Sequence, residues 1–295
     1  MNQILKKDML LYYCLSVLIA LLGIYFINPF NIFVSGNELS FISVLFACIT
    51  IELFIRKAKN GEEIYMRPIS AMKAMEEAVG RATEMGNSVL YVPGISGLDE
   101  IDTISGVIIL GHIAGMTAEY EADLHVPCCV PIVMEAARES CKESYLKKGR
   151  PDLYNDSMVH YVTDDQFAYA AGVNGIMLRE RPAAVFYQGK FYAESLLLAE
   201  TGSSIGAIQI AGTGSSSQIP FFVTACDYVL IGEEFYAASA YLSGNPEMIG
   251  SIKGQDYVKL LCMLFIAVVV ISSIFNYFNF LTFDISNIFK INIIE

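Results

Sequence analysis

The stretch AAVFYQGKFYAESLLLAETGSSIGAIQI, residues 183–210, decides the fold. Ala183 to Tyr187 is a short apolar run, Tyr192 to Thr201 has helical spacing and stops at Gly202, and Ala207 to Ile210 is a second apolar run. Strand, helix, strand is the unit of a parallel sheet, because a parallel connection needs a crossover and a helix supplies it.

The pattern continues on both sides. Upstream, Ser70 to Met85 sets Ala71, Met75, Ala78 and Ala82 along one helical side and breaks at Gly86-Asn87. Ser88 to Val92 reads as a buried strand closed by Pro93-Gly94. Asp102 to Leu124 reads as a helix whose glycines at 106, 111 and 115 allow close packing. His125 to Val133 is predicted as a strand, and Glu135 to Lys148 as a helix that stops at Gly149 before Pro151. Met158 to Val162 alternates like a strand, and Thr163-Asp164-Asp165-Gln166 offers a capping box for a helix running to about Arg179. Downstream, Phe221 to Thr224 and Tyr228 to Ile231 are predicted as strands and Glu233 to Leu242 as a helix. Five or six such strands predict a Rossmann-like, mostly parallel α/β sheet with flanking helices.

This domain sits between apolar blocks. Of the 295 residues 54% are hydrophobic and the mean hydropathy is +0.48, an excess concentrated at the two ends. Leu10 to Ile27 and Leu260 to Phe278 carry no charge, and Leu39 to Ile55 has the single Glu52 near its end. Each is about as long as a bilayer core is thick, so three transmembrane helices are expected. Lys6 and Lys7 resemble the start of a signal peptide, but the run after them is too long and no small-residue cleavage site follows. The expected organisation is an N-terminal transmembrane hairpin over 1–56, an α/β domain over 57–256 and a C-terminal helix and tail over 257–295. Lys6 and Lys7, then Arg56, Lys57 and Lys59, then Lys253 and Lys259 flank the spans, whereas 28–40 has no basic residue. The positive-inside rule places the N-terminus and the α/β domain in the cytoplasm of a multi-pass cell-membrane protein, with the tail after Asn279 outside.

The net charge is −12. Residues 60–256 contain 26 acidic and 12 basic residues, an excess of 14 negative charges that disfavours nucleic acid and anionic lipid. Of seven cysteines, Cys14, Cys48 and Cys262 fall in the expected spans. Cys128, Cys129, Cys141 and Cys226 fall in the domain, where reduced, buried thiols are expected.

Open α/β sheets bind ligands beyond the carboxyl ends of their strands. The segments just past those ends are rich in glycine here: Pro93-Gly94-Ile95-Ser96-Gly97, Gly189, Gly212-Thr213-Gly214-Ser215-Ser216-Ser217, and Gly232-Glu233-Glu234. The ligand-binding candidates are Gly94, Ser96, Gly212, Thr213, Gly214, Ser215, Ser216, Glu233 and Glu234. Small residues let backbone N–H groups converge on an anion. The spacing matches neither GxGxxG nor a Walker A motif, and a mobile connector has the same composition. The glutamates repel a phosphate, so they and the glycine loop fit together only with Mg²⁺ or with a neutral polar ligand. Glu119, Glu121, Asp123 and His125 are dense enough to suggest a metal site, but on a helix Glu121 points away from Glu119 and Asp123, and the cluster reads as a solvated helix end. His112 and His160 lie in apolar patterns, and Ser96 lacks the GxSxG elbow spacing, so no catalytic residue and no cofactor is identified.

The segments HVPCCVPIVMEAARESCKESYLKKGRPDLYN, YAAGVNGIMLRERPAAVFYQG and GTGSSSQIPFFVTACDYVLIGEEFYAASAYLSGNPEMIGSIKGQDYVKLL resemble an uncharacterised family of bacterial membrane proteins defined by a domain of unknown function. The resemblance spans most of Ile69 to Leu261 and implies the same architecture without a ligand or catalytic residue. The expected function is a membrane-anchored cytoplasmic α/β domain that binds a small polar ligand or a protein partner, including another copy, at the glycine-rich strand ends. One alternative is a Rossmann-like enzyme acting on a nucleotide, sugar or lipid-linked substrate. Another is an accessory subunit of a membrane transport or secretion assembly.

Overall fold

A computed structural model describes residues 38–62, 64 and 69–277. The elements begin α1 (Glu38–Lys59), α2 (Ser70–Met85), β1 (Val89–Val92), α3 (Ile101–Tyr120), β2 (Leu124–Cys128) and α4 (Pro131–Lys147). They continue β3 (Val159–Tyr161), α5 (Gln166–Glu180), β4 (Ala184–Gln188), α6 (Glu194–Ser204) and β5 (Ile208–Thr213). Last come α7 (Ile219–Ala225), β6 (Tyr228–Ile231), α8 (Glu233–Ser243) and α9 (Pro246–Tyr277). Two compact units result, one of 65–245 and one of 1–64 with 246–295.

In the α/β unit the strands form one sheet of order β3-β2-β1-β4-β5-β6, and every neighbouring pair is parallel. This is the doubly wound order in which the chain reverses direction between β1 and β4. Period-two alternation feeds two cores. Val89, Tyr91 and Phe186 face the layer of α2, α3, α4 and α8, while Leu90, Val92 and Tyr187 face α5, α6 and α7. β1 and β4 are buried along their whole length because both faces are covered, which is why they read as unbroken apolar runs.

Local chemistry sets the boundaries. Gly86 ends α2 in the left-handed conformation, and its N–H returns to Ala82 and Thr83 carbonyls. Several expectations are corrected. Phe221 to Thr224 is not a strand but lies in α7: Pro220 opens this helix, and a crossover is needed to set β6 parallel to β5. The apolar run from His125 ends as a strand at Cys128, since Pro131 starts α4 four residues earlier than expected. Asp165, not Thr163, caps α5, accepting a 2.8 Å hydrogen bond from the Ala168 N–H. α6 passes through Gly202 to Ser204, and β5 extends to Thr213, so Gly212 is a strand residue paired with Gln188 and Leu230.

Two of the described helices are long and apolar enough to cross a membrane, α3 and Pro246–Ser272 within α9. α3 is mostly buried in the α/β unit, where its hydrophobicity serves the core. The segment Leu39 to Ile55 is helical within α1 but is not one of the two, and of the expected spans Leu260 to Phe278 is the one that overlaps this pair. Leu10 to Ile27 and the tail after Asn279 lie outside the described residues.

α1 and α9 pack against each other. A Cβ on Gly250 would lie 2.5 Å from the Ile55 Cα, and one on Gly254 would lie 2.6 Å from the Ile51 Cα. These glycines, four apart, let the two backbones touch. Phe54 stacks on Tyr257 with ring centroids 4.6 Å apart, and Lys59 pairs with Glu247 at 2.6 Å. Gly254→Val is expected to separate the helices and destabilise their packing by about 1–3 kcal/mol. Limited proteolysis of the purified full chain in detergent would report earlier cleavage within α9, with Gln255→Ala at the neighbouring exposed position unchanged.

Candidate functional site

A parallel sheet puts every strand's carboxyl end at one rim, so the loops after β1, β4, β5 and β6 share it. In a sheet of this order the ligand crevice opens between β1 and β4. Here the two loops meet instead. Gly94, at φ +80°, leaves room where a Cβ would stand 2.5 Å from the Lys190 carbonyl oxygen. Gly189, at φ +147°, backs onto the Pro93 carbonyl in the same way. The Ile95 N–H donates to the Lys190 carbonyl at 3.1 Å, and the Lys190 ammonium reaches Glu100 across the gap at 2.6 Å. That hydrogen bond to Glu100 raises the Lys190 pKa.

The loop after β5 is tied down by its neighbours. Asp102, buried in the first turn of α3, accepts from the Gly214 N–H at 3.1 Å with one carboxylate oxygen and from the Tyr236 hydroxyl of α8 with the other. Burial, then the Asp102 hydrogen bond, pushes the Tyr236 pKa up. A side chain at Gly214 would run into both partners. The Ser215 N–H donates to Thr213 Oγ1 at 3.2 Å, and the Ser215 and Ser217 hydroxyls lie 3.2 Å apart. Ser195 Oγ donates to Gln218 Oε1 at 2.7 Å. The Gly214 and Ser215 amides that would cradle a phosphate are therefore already engaged, one by the chain's own carboxylate. Gly212 has its own reason to be glycine, since Gln188 Oε1 and the Phe235 ring fill the space of its Cβ. Ser96 stays in the partly exposed loop after β1, where its carbonyl accepts from Thr103 Oγ1 at 3.4 Å, and Ser216 is exposed. Glu233 and Glu234 open α8 behind Gly232, where the helix dipole favours them.

On the opposite face of the rim Glu194 is fully buried at the start of α6. Its carboxylate accepts from the Tyr192 N–H at 2.9 Å and from Gln166 Nε2 at 2.5 Å. Burial, followed by Asp164, Glu194 and Asp165, pushes the Cys129 thiol up to about 11, so it is protonated and a poor nucleophile at neutral pH. Gln188 donates to the Ile210 carbonyl at 3.0 Å and leaves Oε1 buried without a partner. The acidic run near His125 does not converge: Glu119 pairs with Lys148, Glu121 with Arg150, and His125 with Glu180. Among the described residues no group of three or more His, Cys, Asp or Glu is placed to hold a metal ion. Burial lowers the His112 pKa.

Asp102, Tyr236, Glu100, Lys190, Glu194 and Gln166 thus organise the rim; the sequence singles out only Gln166 among them, and as a capping residue, not as the partner of Glu194. Their one local signal is that Glu100, Asp102 and Glu194 each come after a strand-end glycine loop at a helix start. Asp102→Ala leaves the Gly214 N–H and the Tyr236 hydroxyl without their acceptor and is expected to cost about 1–3 kcal/mol, whereas Tyr236→Phe costs about 0.5–1.5 kcal/mol. Chemical denaturation of the purified chain measures both.

The family model for a domain of unknown function, DUF6754, matches residues 29–284. No curated protein and no solved structure matches the chain. The match takes in both compact units, and the chain belongs to the DUF6754 family.

Proposed function

We propose that this protein is a membrane-anchored binding module whose α/β unit lies in the cytoplasm and engages a protein partner at the rim of strand carboxyl ends. The observation that carries the anchoring is the surface of α9. Leu260, Leu261, Met263, Leu264, Phe265 and Ile266 are between 42% and 66% exposed, and at 100° per residue they cover every side of the helix. With Val268, Val270, Ile271 and Ile274 also about half exposed, leaving this surface in water costs on the order of 10 kcal/mol. That equals the whole stability of an ordinary domain, so lipid is the fitting solvent.

Two features of the rim support a protein partner. Three helix starts and the loop before α6 each present a large exposed apolar side chain: Ile101, Ile132, Phe167 and, in the loop, Tyr192. The loops and first helical turns after the six strands contain eight acidic residues against the single basic Lys190. The second reading, an enzyme acting on a nucleotide, sugar or lipid-linked substrate, draws support from the strand order, which elsewhere carries dinucleotides. Against it stand the engaged Gly214 and Ser215 amides and the carboxylates of Glu100 and Asp102 where a phosphate would sit.

Photo-crosslinking in cells from positions 132 and 167 is expected to give one discrete protein adduct that position 85, exposed at the far end of α2, does not give. A shift in melting temperature with ATP or NAD and Mg²⁺, matching the about 2.7 kcal/mol that saturation a hundredfold above Kd confers, would favour the enzyme instead.

A further inference from the structure

We infer that α1 and α9 enter the bilayer out of register, so that residues 46–59 and 246–259 form a stalk at the headgroup level and Leu39 to Ile55 is not a full span. The inference rests on the anchoring proposed above and adds which residues meet lipid. The register comes from the helix contact. Gly250 lies on Ile55 and Gly254 on Ile51, so the helices are antiparallel and opposed residue numbers sum to about 305. Lys59 with Glu247 agrees. The middle of Leu39 to Ile55 is Ala47, which this register sets opposite Val258. The middle of the apolar run from Leu260 to Tyr277 lies near Val268 or Val269. The two apolar segments are therefore displaced by about 11 residues, roughly 16 Å, or half the thickness of a hydrocarbon core.

One bilayer cannot be centred on both. Centred on Leu39 to Ile55, it would bring Lys253, Asp256 and Lys259 to the depth of residues 52, 49 and 46. Asp256 and Lys259 are exposed, so their charges would face lipid at mid-depth, where charge is least tolerated. Centred on α9, it leaves these residues at or beyond the surface and keeps only 38–46 of α1 in the hydrocarbon, so that one charge, Glu38 at the start of α1, lies level with residue 267 in place of two at mid-depth. The chemistry of the stalk suits that level. Arg56 pairs with Glu52 at 2.7 Å, and Lys253 lies 3.9 Å from Asp256. Tyr257, 48% exposed and stacked on Phe54, marks the interface where aromatic side chains collect.

Cys48, exposed on α1, separates the two placements without mutation. It lies next to the bilayer midplane if Leu39 to Ile55 spans and at the headgroup level if the stalk exists. The full chain, and a Val268→Cys variant as a midplane probe, would be reconstituted in liposomes with a charged maleimide on both aqueous faces, and each cysteine read by peptide mass spectrometry. Labelling after SDS calibrates complete reaction. The expected result is near-complete labelling of Cys48 with loss of labelling at position 268. Protection of Cys48, whatever position 268 does, overturns the stagger, and if either site is protected the anchoring stands. Labelling of both overturns the stagger and the anchoring together.

Discussion

The contact between two backbones at the switch point constrains the rest of the α/β unit. Where β1 and β4 lead their loops to opposite faces of the sheet, Gly94 and Gly189 let the loops touch, and the Ile95 N–H closes onto Lys190. A sheet of this order ordinarily keeps that place open for a ligand. Closing it brings Glu100 within reach of Lys190 and leaves Asp102 free to turn toward β5 and α8. The rim becomes a set of mutual ties: α3 holds the loop after β5, α8 is held through Tyr236, and the start of α6 is held by its own Glu194. Buried carboxylates are stable there because each accepts hydrogen bonds from donors that would otherwise be unpaired and because Asp102 and Glu194 sit at helix starts.

The same economy explains the glycines. Composition suggests mobile loops or a phosphate cradle, yet Gly106, Gly212 and Gly214 each mark a close approach: to the Gln188 carbonyl, to the Gln188 side chain and to Asp102 with Tyr236. In the other unit, Gly250 and Gly254 bring α9 onto α1. At these five positions glycine serves packing of backbone against backbone or against a polar group.

This distinction governs how much the sequence disclosed. α2 and β6 are found at the predicted residues because each has clear local punctuation, Pro68 and Gly86 for the helix, Asp227 and Gly232 for the strand. The parallel α/β class was legible from alternating short apolar runs and helical spacing. Phe221 to Thr224 was misread since its aromatic and β-branched residues favour a strand locally, while the crossover that makes it helical is set by the position of β6. Gly212-Thr213 looked like a loop because its partners, Gln188 and Leu230, lie far away in the chain. The link from Asp102 to Gly214 spans 112 positions and has no periodicity to betray it. The candidate residues at the strand ends share one rim, as parallel strands require. What binds them is carried by side chains on α3 and α8 that no local pattern singles out.

Native-state amide hydrogen exchange on the purified full chain tests the central claim, that the strand-end loops are tied to one another rather than held open for an anion. The account predicts that the Ile95, Gly214 and Ser215 amides exchange slowly and at rates unchanged by ATP, NAD or Mg²⁺. Exchange at the rate of an open loop, with protection appearing when a nucleotide is added, would contradict it.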